Sequence, residues 1–244
     1  MMKDNLVVIP TYNEAQNLKA LVELVLAQGD FDVLVVDDNS PDGTGSLADW
    51  LAAHYSPRVS VLHRGGKQGL GTAYRAGFAY ALARGYRHVF EMDADFSHDP
   101  RALPMLRQAL DEADVVLGSR YVAGGETRNW PVGRRLLSQM GSKYAAVILG
   151  LPFHDLTGGF KGFSSRVLES LDLDGIQSNG YAFQIEVTYR TYQAGFRIVE
   201  RPITFVDRKL GTSKMRAAIV TEALGIVWSL RFGRPLPLLH VARP

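Results

Sequence analysis

The apolar positions of this chain fall into two alternating rhythms. Short apolar runs of about five residues are separated by longer segments in which apolar residues recur every three or four positions, the pattern of βαβ units in a mostly parallel sheet. Leu6–Ile9 reads as the first strand. Glu14–Ala27 reads as a helix with Leu18, Leu21, Val22 and Val25 on one side, Asn13 as its N-cap and Gly29 as its stop. Val33–Val36 is all β-branched or leucine, which predicts a strand buried on both faces. A helix through Trp50, a strand at Val59–Leu62, a glycine-rich loop at Gly65–Gly71 and a helix at Thr72–Arg84 closed by Gly85 follow. Next come a strand at His88–Met92, a helix at Arg101–Leu110 and a strand at Val115–Gly118. Beyond that the alternation loosens. Helices are expected at Arg134–Leu149 and at Ala182–Ala194, closed by Gly195, then one strand at Ile198–Phe205, a polar stretch at Val206–Lys214 and a last helix.

Composition narrows the class. With 46% hydrophobic and 21% charged residues the chain is an ordinary globular protein, and the absence of cysteine excludes disulfide frameworks, thiol nucleophiles and Cys-type zinc sites. A formal charge of +2 is too small for a general nucleic-acid binder, so no nucleic-acid partner is expected. Two stretches are nevertheless free of acids and basic: Thr127–His154, with Arg128, Arg134, Arg135 and Lys143, and Ala223–Pro244, with Arg231, Arg234 and Arg243. No signal peptide is expected at the N-terminus, and the most apolar stretch near the C-terminus is broken by Glu222 and Ser229, so no transmembrane helix is expected. No linker divides the chain. The expected organisation is one α/β domain over residues 1–214, with residues 215–244 forming a C-terminal amphipathic helix and basic tail of the same domain.

In an open parallel sheet the ligand site lies beyond the carboxyl ends of the strands. There this chain carries Pro10-Thr11-Tyr12-Asn13-Glu14, Asp37-Asp38, Asp93-Ala94-Asp95 and Ser119-Arg120. Asp93 and Asp95 flank a small residue, and such hard oxygen ligands suit Mg²⁺ or Mn²⁺ completed by substrate phosphate, although a D-x-D alone is a weak signal and loop residues, with Asp99 capping the helix behind Pro100, are the commoner reading. Asp37-Asp38 suits either a solvated turn or a carboxylate accepting hydrogen bonds from a ribose or base. Gly69-Leu70-Gly71 lacks the spacing of a dinucleotide fingerprint, the histidines lack zinc spacing, and no serine sits in a nucleophile elbow. Arg120, Arg134, Arg135, Arg208, Lys209 and Lys214 are the cations nearest these loops; any single one suits a solvated basic face, and as a group they suit phosphate.

The ordered set VVIPTYNEAQNL, VVDDNSPDGT, GLGTAYRAGF, EMDADFSHDP, GSRYV, NWPVGRR, DLTGGF and GTSKM resembles the dolichol- and polyprenol-phosphate mannosyltransferases of the family 2 glycosyltransferases, over roughly Leu6 to Met215. The resemblance implies a nucleotide-diphosphosugar transferase fold of GT-A type. It also implies GDP-mannose as donor, a polyprenyl monophosphate as acceptor and a Mg²⁺ or Mn²⁺ cofactor. It assigns Pro10, Tyr12, Glu14, Val36 and Asp38 to the guanosine pocket and Asp93, Ala94 and Asp95 to the diphosphate and metal. Ser97 stands where some relatives carry a glutamine metal ligand. Arg120, Arg134 and Ser138 correspond to the acceptor-phosphate cradle, with Asp93, Asp95 and Arg120 as the catalytic set, and Arg208 and Lys214 to the cations that close over the donor diphosphate. Asp155 is the position where a base could sit, but a phosphate acceptor needs none, so Asp155 is expected to orient a sugar hydroxyl or its loop. The chain resembles the soluble-domain form of the family, including the mannosyltransferase domains of actinobacterial polyprenol-phosphate mannose synthases. A peripheral position on the cytoplasmic face of a membrane follows, with a separate anchoring subunit as a possible partner. Glucosyl or aminosugar transfer to the same lipid, and a catalytically inert nucleotide-sugar-binding subunit, are the alternatives.

Overall fold

The computed structural model describes residues 3–176, 178–207 and 217–233. Its strands are β1 (Lys3–Thr11), β2 (Phe31–Asp37), β3 (Val59–His63), β4 (Tyr86–Glu91), β5 (Val115–Ser119), β6 (Glu126–Arg128), β7 (Lys161–Ser164), β8 (Ile198–Pro202) and β9 (Thr204–Val206). Its helices are α1 (Ala15–Leu26), α2 (Thr44–His54), α3 (Leu70–Ala83), α4 (Leu103–Ala109), α5 (Val132–Leu149), α6 (Ser165–Ser170), α7 (Gly180–Gln193) and α8 (Ala217–Phe232). A 3-10 turn, Pro100–Ala102, leads into α4, and the Asp99 side chain caps it by accepting from Arg101 N.

Seven strands form the main sheet in the order β3-β2-β1-β4-β7-β5-β8. All are mutually parallel except β7, which runs antiparallel to β4 and β5. Strand alternation sends side chains to both faces. Val7, Ile9, Val33, Val35 and Phe90 meet Leu18, Leu21, Val22 and Val25 of α1, Leu51 of α2 and Leu106 of α4. Leu6, Val8, Leu34, Val36 and Val89 meet Tyr74 and Phe78 of α3, Val167 of α6 and Phe183 of α7 on the other face. The result is a three-layer α/β/α stack in which β2 is buried on both faces, as its composition predicts. Close approach of α3 to β1 depends on Gly77, where a Cβ would fall 2.3 Å from Val8 Cγ1.

The structure corrects two of the sequence expectations about elements. Asn13 does not cap α1: it sits at φ 63°, and Glu14 occupies the cap position without a side-chain cap bond. The single strand expected over Ile198–Phe205 is divided between β8, which pairs with β5, and β9, which pairs with β6 in a separate two-stranded ribbon. Pro202 ends β8 with no N–H to donate, which favours the switch. The last helix, α8, packs against α5 and α7, with Val227 buried among Ala145, Leu149, Ile185 and Tyr189. Among the described residues no helix is long and apolar enough to cross a membrane.

Candidate active site

Strand order reverses at β1, whose chain-order neighbours lie on one side while β4 lies on the other. Such a reversal opens a crevice at the carboxyl edge of the sheet. Here it forms a cleft of about 290 Å³ lined by the ends of β1 and β4, the loop before α3, the segment before β7 and the first turns of α7.

One end of the cleft is built by the segments after β1 and β2. Pro10, Tyr12, Glu14 and Asp38 line it. The two adjacent acids at the end of β2 divide the work. Asp37 turns inward, accepting from Thr11 Oγ1 at 3.0 Å, Ser40 Oγ at 2.6 Å and Ser40 N at 3.1 Å, and so fixes the turn. Asp38 faces the cleft and pairs with Arg64 at 3.0 Å. Burial pushes the Asp38 carboxyl above its ordinary pKa, and Arg64 opposes that shift. Lys67, from the glycine-rich loop, sits 4.4 Å from the centre of the Tyr12 ring. Val36 is buried within β2 rather than on the cleft wall, and its carbonyl accepts from Thr11 Oγ1 at 3.5 Å.

The other end carries Asp93, Ala94 and Asp95. Tyr74 OH donates to Asp93 Oδ1 at 3.2 Å, and Ser97 N donates to Asp95 Oδ1 at 3.0 Å. Asp93 N donates to His98 Nδ1 at 3.2 Å, which requires a lone pair on that nitrogen. His98 is buried against Phe160, and burial lowers its pKa to about 4, so the ring is neutral around neutral pH. Ser97 is itself buried and is not a residue of the cleft wall; it contributes its backbone N–H to Asp95. Beneath Asp93, burial raises the Glu91 pKa and lowers that of Lys161, its neighbour across the β4–β7 pair. Lys161 Nζ donates to Gln184 O at 2.7 Å and to Thr188 Oγ1 at 2.9 Å.

No group of three or more acidic, histidine or cysteine side chains able to hold a metal occurs among the described residues. Two carboxylates facing a cleft nonetheless fit Mg²⁺ or Mn²⁺, which commonly take one or two protein carboxylates and complete their shell with substrate phosphate and water.

The residues that the resemblance assigns to the acceptor phosphate form a second cluster beside the cleft. Arg120 is 4% exposed and is gripped by Asp155 through Nε–Oδ2 and Nη2–Oδ1 bonds of 2.6 Å each, with its own N–H on Oδ2 at 3.0 Å. Its Nη2 also donates to Thr157 Oγ1 at 2.9 Å, and Thr157 lines the cleft. Burial raises and Arg120 lowers the Asp155 pKa, and the net shift is downward, so Asp155 is a counter-ion rather than a base. Arg134 Nη1 donates to Asp207 Oδ1 at 2.9 Å and Oδ2 at 3.0 Å. Ser138 is half-buried on α5, beside the Tyr121 phenol. Arg208, Lys209 and Lys214 lie outside the described residues. Sequence reasoning missed Arg64, Lys67 and Thr157 as parts of the site. The signal available was position: Arg64 and Lys67 follow the carboxyl end of β3, the same sheet edge that marks the other site residues.

The family model for glycosyl transferase family 2 matches residues 6–172. The undecaprenyl-phosphate mannosyltransferase of Micrococcus luteus is 52% identical over 220 residues, covering 90% of each chain. The polyprenol monophosphomannose synthase of Mycolicibacterium smegmatis is 50% identical over 230 residues, covering 93% of this chain and 87% of that one. Among solved structures, the glucosyl-3-phosphoglycerate synthase of Mycobacterium tuberculosis, in complex with Mn²⁺, UDP and glucosyl-3-phosphoglycerate, superposes with a TM-score of 0.71 at 18% identity, covering 94% of this chain and 80% of that one. The fold is of GT-A type, and the chain belongs to glycosyl transferase family 2.

Proposed function

We propose that this enzyme transfers mannose from GDP-mannose to a polyprenyl monophosphate with inversion at the anomeric carbon. One observation carries the reading: a chain about half identical to two polyprenyl-phosphate mannose transferases has a single cleft with Tyr12, Glu14 and Asp38 at one end and Asp93 and Asp95 at the other. In this reading the first end takes the nucleoside and the second the diphosphate.

Asp93 and Asp95 would hold Mg²⁺ or Mn²⁺, which when bound stabilises negative charge on the leaving diphosphate. Tyr74 and Ser97 N–H keep the two carboxylates in place, and His98, neutral, accepts from the backbone N–H of Asp93 and fixes it. Arg208 and Lys214 are assigned to the same diphosphate. On the acceptor side, Arg120, Arg134 and Ser138 hold the phosphate. A phosphate monoester is already anionic at neutral pH, its second ionisation lying near a pKa of about 6, so these residues position it rather than deprotonate it. One acceptor oxygen forms the new bond to the sugar carbon as the bond to the diphosphate oxygen breaks, and GDP leaves with the electron pair.

A lipid acceptor also implies a membrane surface. Val132, Leu136, Leu137 and Met140 form an exposed stripe along α5, interleaved with Arg134, Arg135 and Lys143. Trp228 and Phe232 are exposed at the end of α8 beside Arg231. Apolar side chains among cations suit the surface of an anionic bilayer. The reading places the enzyme peripherally, on the cytoplasmic face, with room for an anchoring partner.

The test is a donor screen with a short polyprenyl phosphate and either metal, read by mass spectrometry. A mannosyl-phosphate lipid formed from GDP-mannose, and not from GDP-glucose or UDP-N-acetylglucosamine, is expected. Transfer from either of those donors in its place sinks the assignment of the sugar.

A further inference from the structure

The two arginines assigned above to the acceptor phosphate come from different parts of the chain, Arg120 after β5 and Arg134 in the first turn of α5. A pair of cations can grip one phosphate only if the distance between them is fixed against their own repulsion. Each has an acid behind it, Asp155 for Arg120 and Asp207 for Arg134. Neither acid touches both. Trp130 does: its ring centre lies 4.4 Å from the Arg134 guanidinium carbon and 5.4 Å from that of Arg120. Phe205, from β9, abuts Trp130 edge-on at 5.2 Å and also lies 5.3 Å from Arg120, so the indole is braced from the ribbon side.

Such distances are those at which an aromatic face attracts a cation, and the negative face of the indole offsets part of the repulsion between the guanidinium groups. The acids leave parts of both guanidinium groups uncommitted. Asp155 and Thr157 are met through Nε and Nη2 of Arg120, and Asp207 through Nη1 of Arg134 alone. Arg134 Nε is buried without a hydrogen-bond partner among the described residues.

We infer that Trp130 is a positioning residue for the acceptor phosphate, a flat spacer that sets the separation and tilt of the Arg120 and Arg134 guanidinium groups. The inference rests on the functional reading above. It requires the aromatic face and not the indole N–H, so phenylalanine should replace tryptophan and an aliphatic residue should not.

The experiment is steady-state transfer by the full chain with varied polyprenyl phosphate, alongside GDP binding by calorimetry. Trp130→Leu should raise KM for the lipid phosphate about tenfold, with kcat and GDP affinity within about twofold of the parent, and Trp130→Phe should restore KM to within about threefold. In an Arg134→Ala background the leucine substitution should add little, because one of the spaced cations is gone. If Trp130→Leu does not fold, Trp130→Met carries the same expectation. An unchanged acceptor KM in the aliphatic variant, or kcat and GDP affinity falling along with it, overturns the role of Trp130. Loss in Trp130→Phe equal to that in the aliphatic variant overturns it as well. A parent protein that transfers nothing to polyprenyl phosphate overturns the functional reading itself.

Discussion

Asp155 shows how much a single residue's surroundings decide. Its carboxylate is fully buried and accepts from three nitrogen groups of Arg120. Removing one partner of such a pair leaves an uncompensated buried charge, at a cost of about 3–5 kcal/mol. Asp155→Asn should therefore lower the urea midpoint sharply, and any activity lost should follow from a displaced Arg120. The sign of the pH effect is set by the depressed pKa of Asp155 relative to its ordinary value of 3.8. Stability from this pair is present above pH 3.8 and is lost as pH falls through the lower folded pKa. The parent should accordingly lose more stability than Asp155→Asn as the pH falls below about 4 in denaturant titrations, and parallel profiles would remove the ion pair from the account. Asp95 is a contrasting case: it faces the cleft and accepts from Ser97 N–H at 3.0 Å. Asp95→Ala should cut turnover by about 100-fold or more while thermal unfolding stays nearly unchanged. Full turnover of the parent in excess chelator would show that no metal is held there.

At the scale of elements, α5 and α8 are joined by Trp228 Nε1 donating to Tyr144 OH at 2.7 Å and by Val227, which is buried beneath them. The sequence pattern makes the last helix either interfacial or core-packed. The described part packs Val227 inward and leaves Trp228 and Phe232 exposed, so core packing holds for one face and the other stays open to a surface. Deleting residues 217–244 would uncover Ala145, Leu149 and Ile185, so it tests folding as much as membrane contact. A cleaner test leaves the core alone. Leu136→Glu with Met140→Glu, on the exposed stripe of α5, should release the protein from anionic liposomes in flotation while GDP binding is retained; undiminished flotation would move the membrane contact elsewhere. The same elements mark the limit of legibility. The βαβ units up to β5 are readable because each strand is an apolar run and each helix keeps one apolar stripe. β7 is not: Lys161-Gly162-Phe163-Ser164 has neither an apolar run nor strict alternation, and it is a strand because it fills the gap between β4 and β5. Lys161 is buried there through tertiary bonds to α7 that no local pattern announces. β6 and β9, three residues each, pair with one another apart from the main sheet, and β9 is further held by Val206 N donating to Ser97 O. Site residues at strand ends were legible by topology, whereas the Asp155–Arg120 and Asp207–Arg134 pairs join residues 35 and 73 positions apart and had no sequence signal.

For the whole molecule, the arrangement of carboxylates bears on the stereochemistry of transfer. A retaining reaction by double displacement needs a nucleophilic carboxylate placed at the anomeric carbon, on the face opposite the leaving group. The carboxylates lining the cleft are Glu14, Asp38, Asp93 and Asp95. Glu14 and Asp38 stand at the end assigned to the nucleoside, and Asp38 is engaged by Arg64. Asp93 and Asp95 stand where the diphosphate and its metal are assigned, on the leaving-group side of the sugar. Asp155, across the cleft wall behind Thr157, is locked to Arg120 and has no exposure to a substrate. No described carboxylate is left to form a glycosyl-enzyme, while in the proposed reading the acceptor brings its own anionic oxygen and Arg120 and Arg134 hold it on the other side. A single in-line displacement follows, so an α-linked donor should give a β-linked mannosyl phosphate. Proton–carbon coupling at the anomeric centre of the isolated lipid product distinguishes the two anomers, and rapid-quench mass spectrometry of the protein should find no added hexose. An α-linked product, or a trapped mannosyl-enzyme, would require a nucleophile that this distribution of carboxylates does not provide.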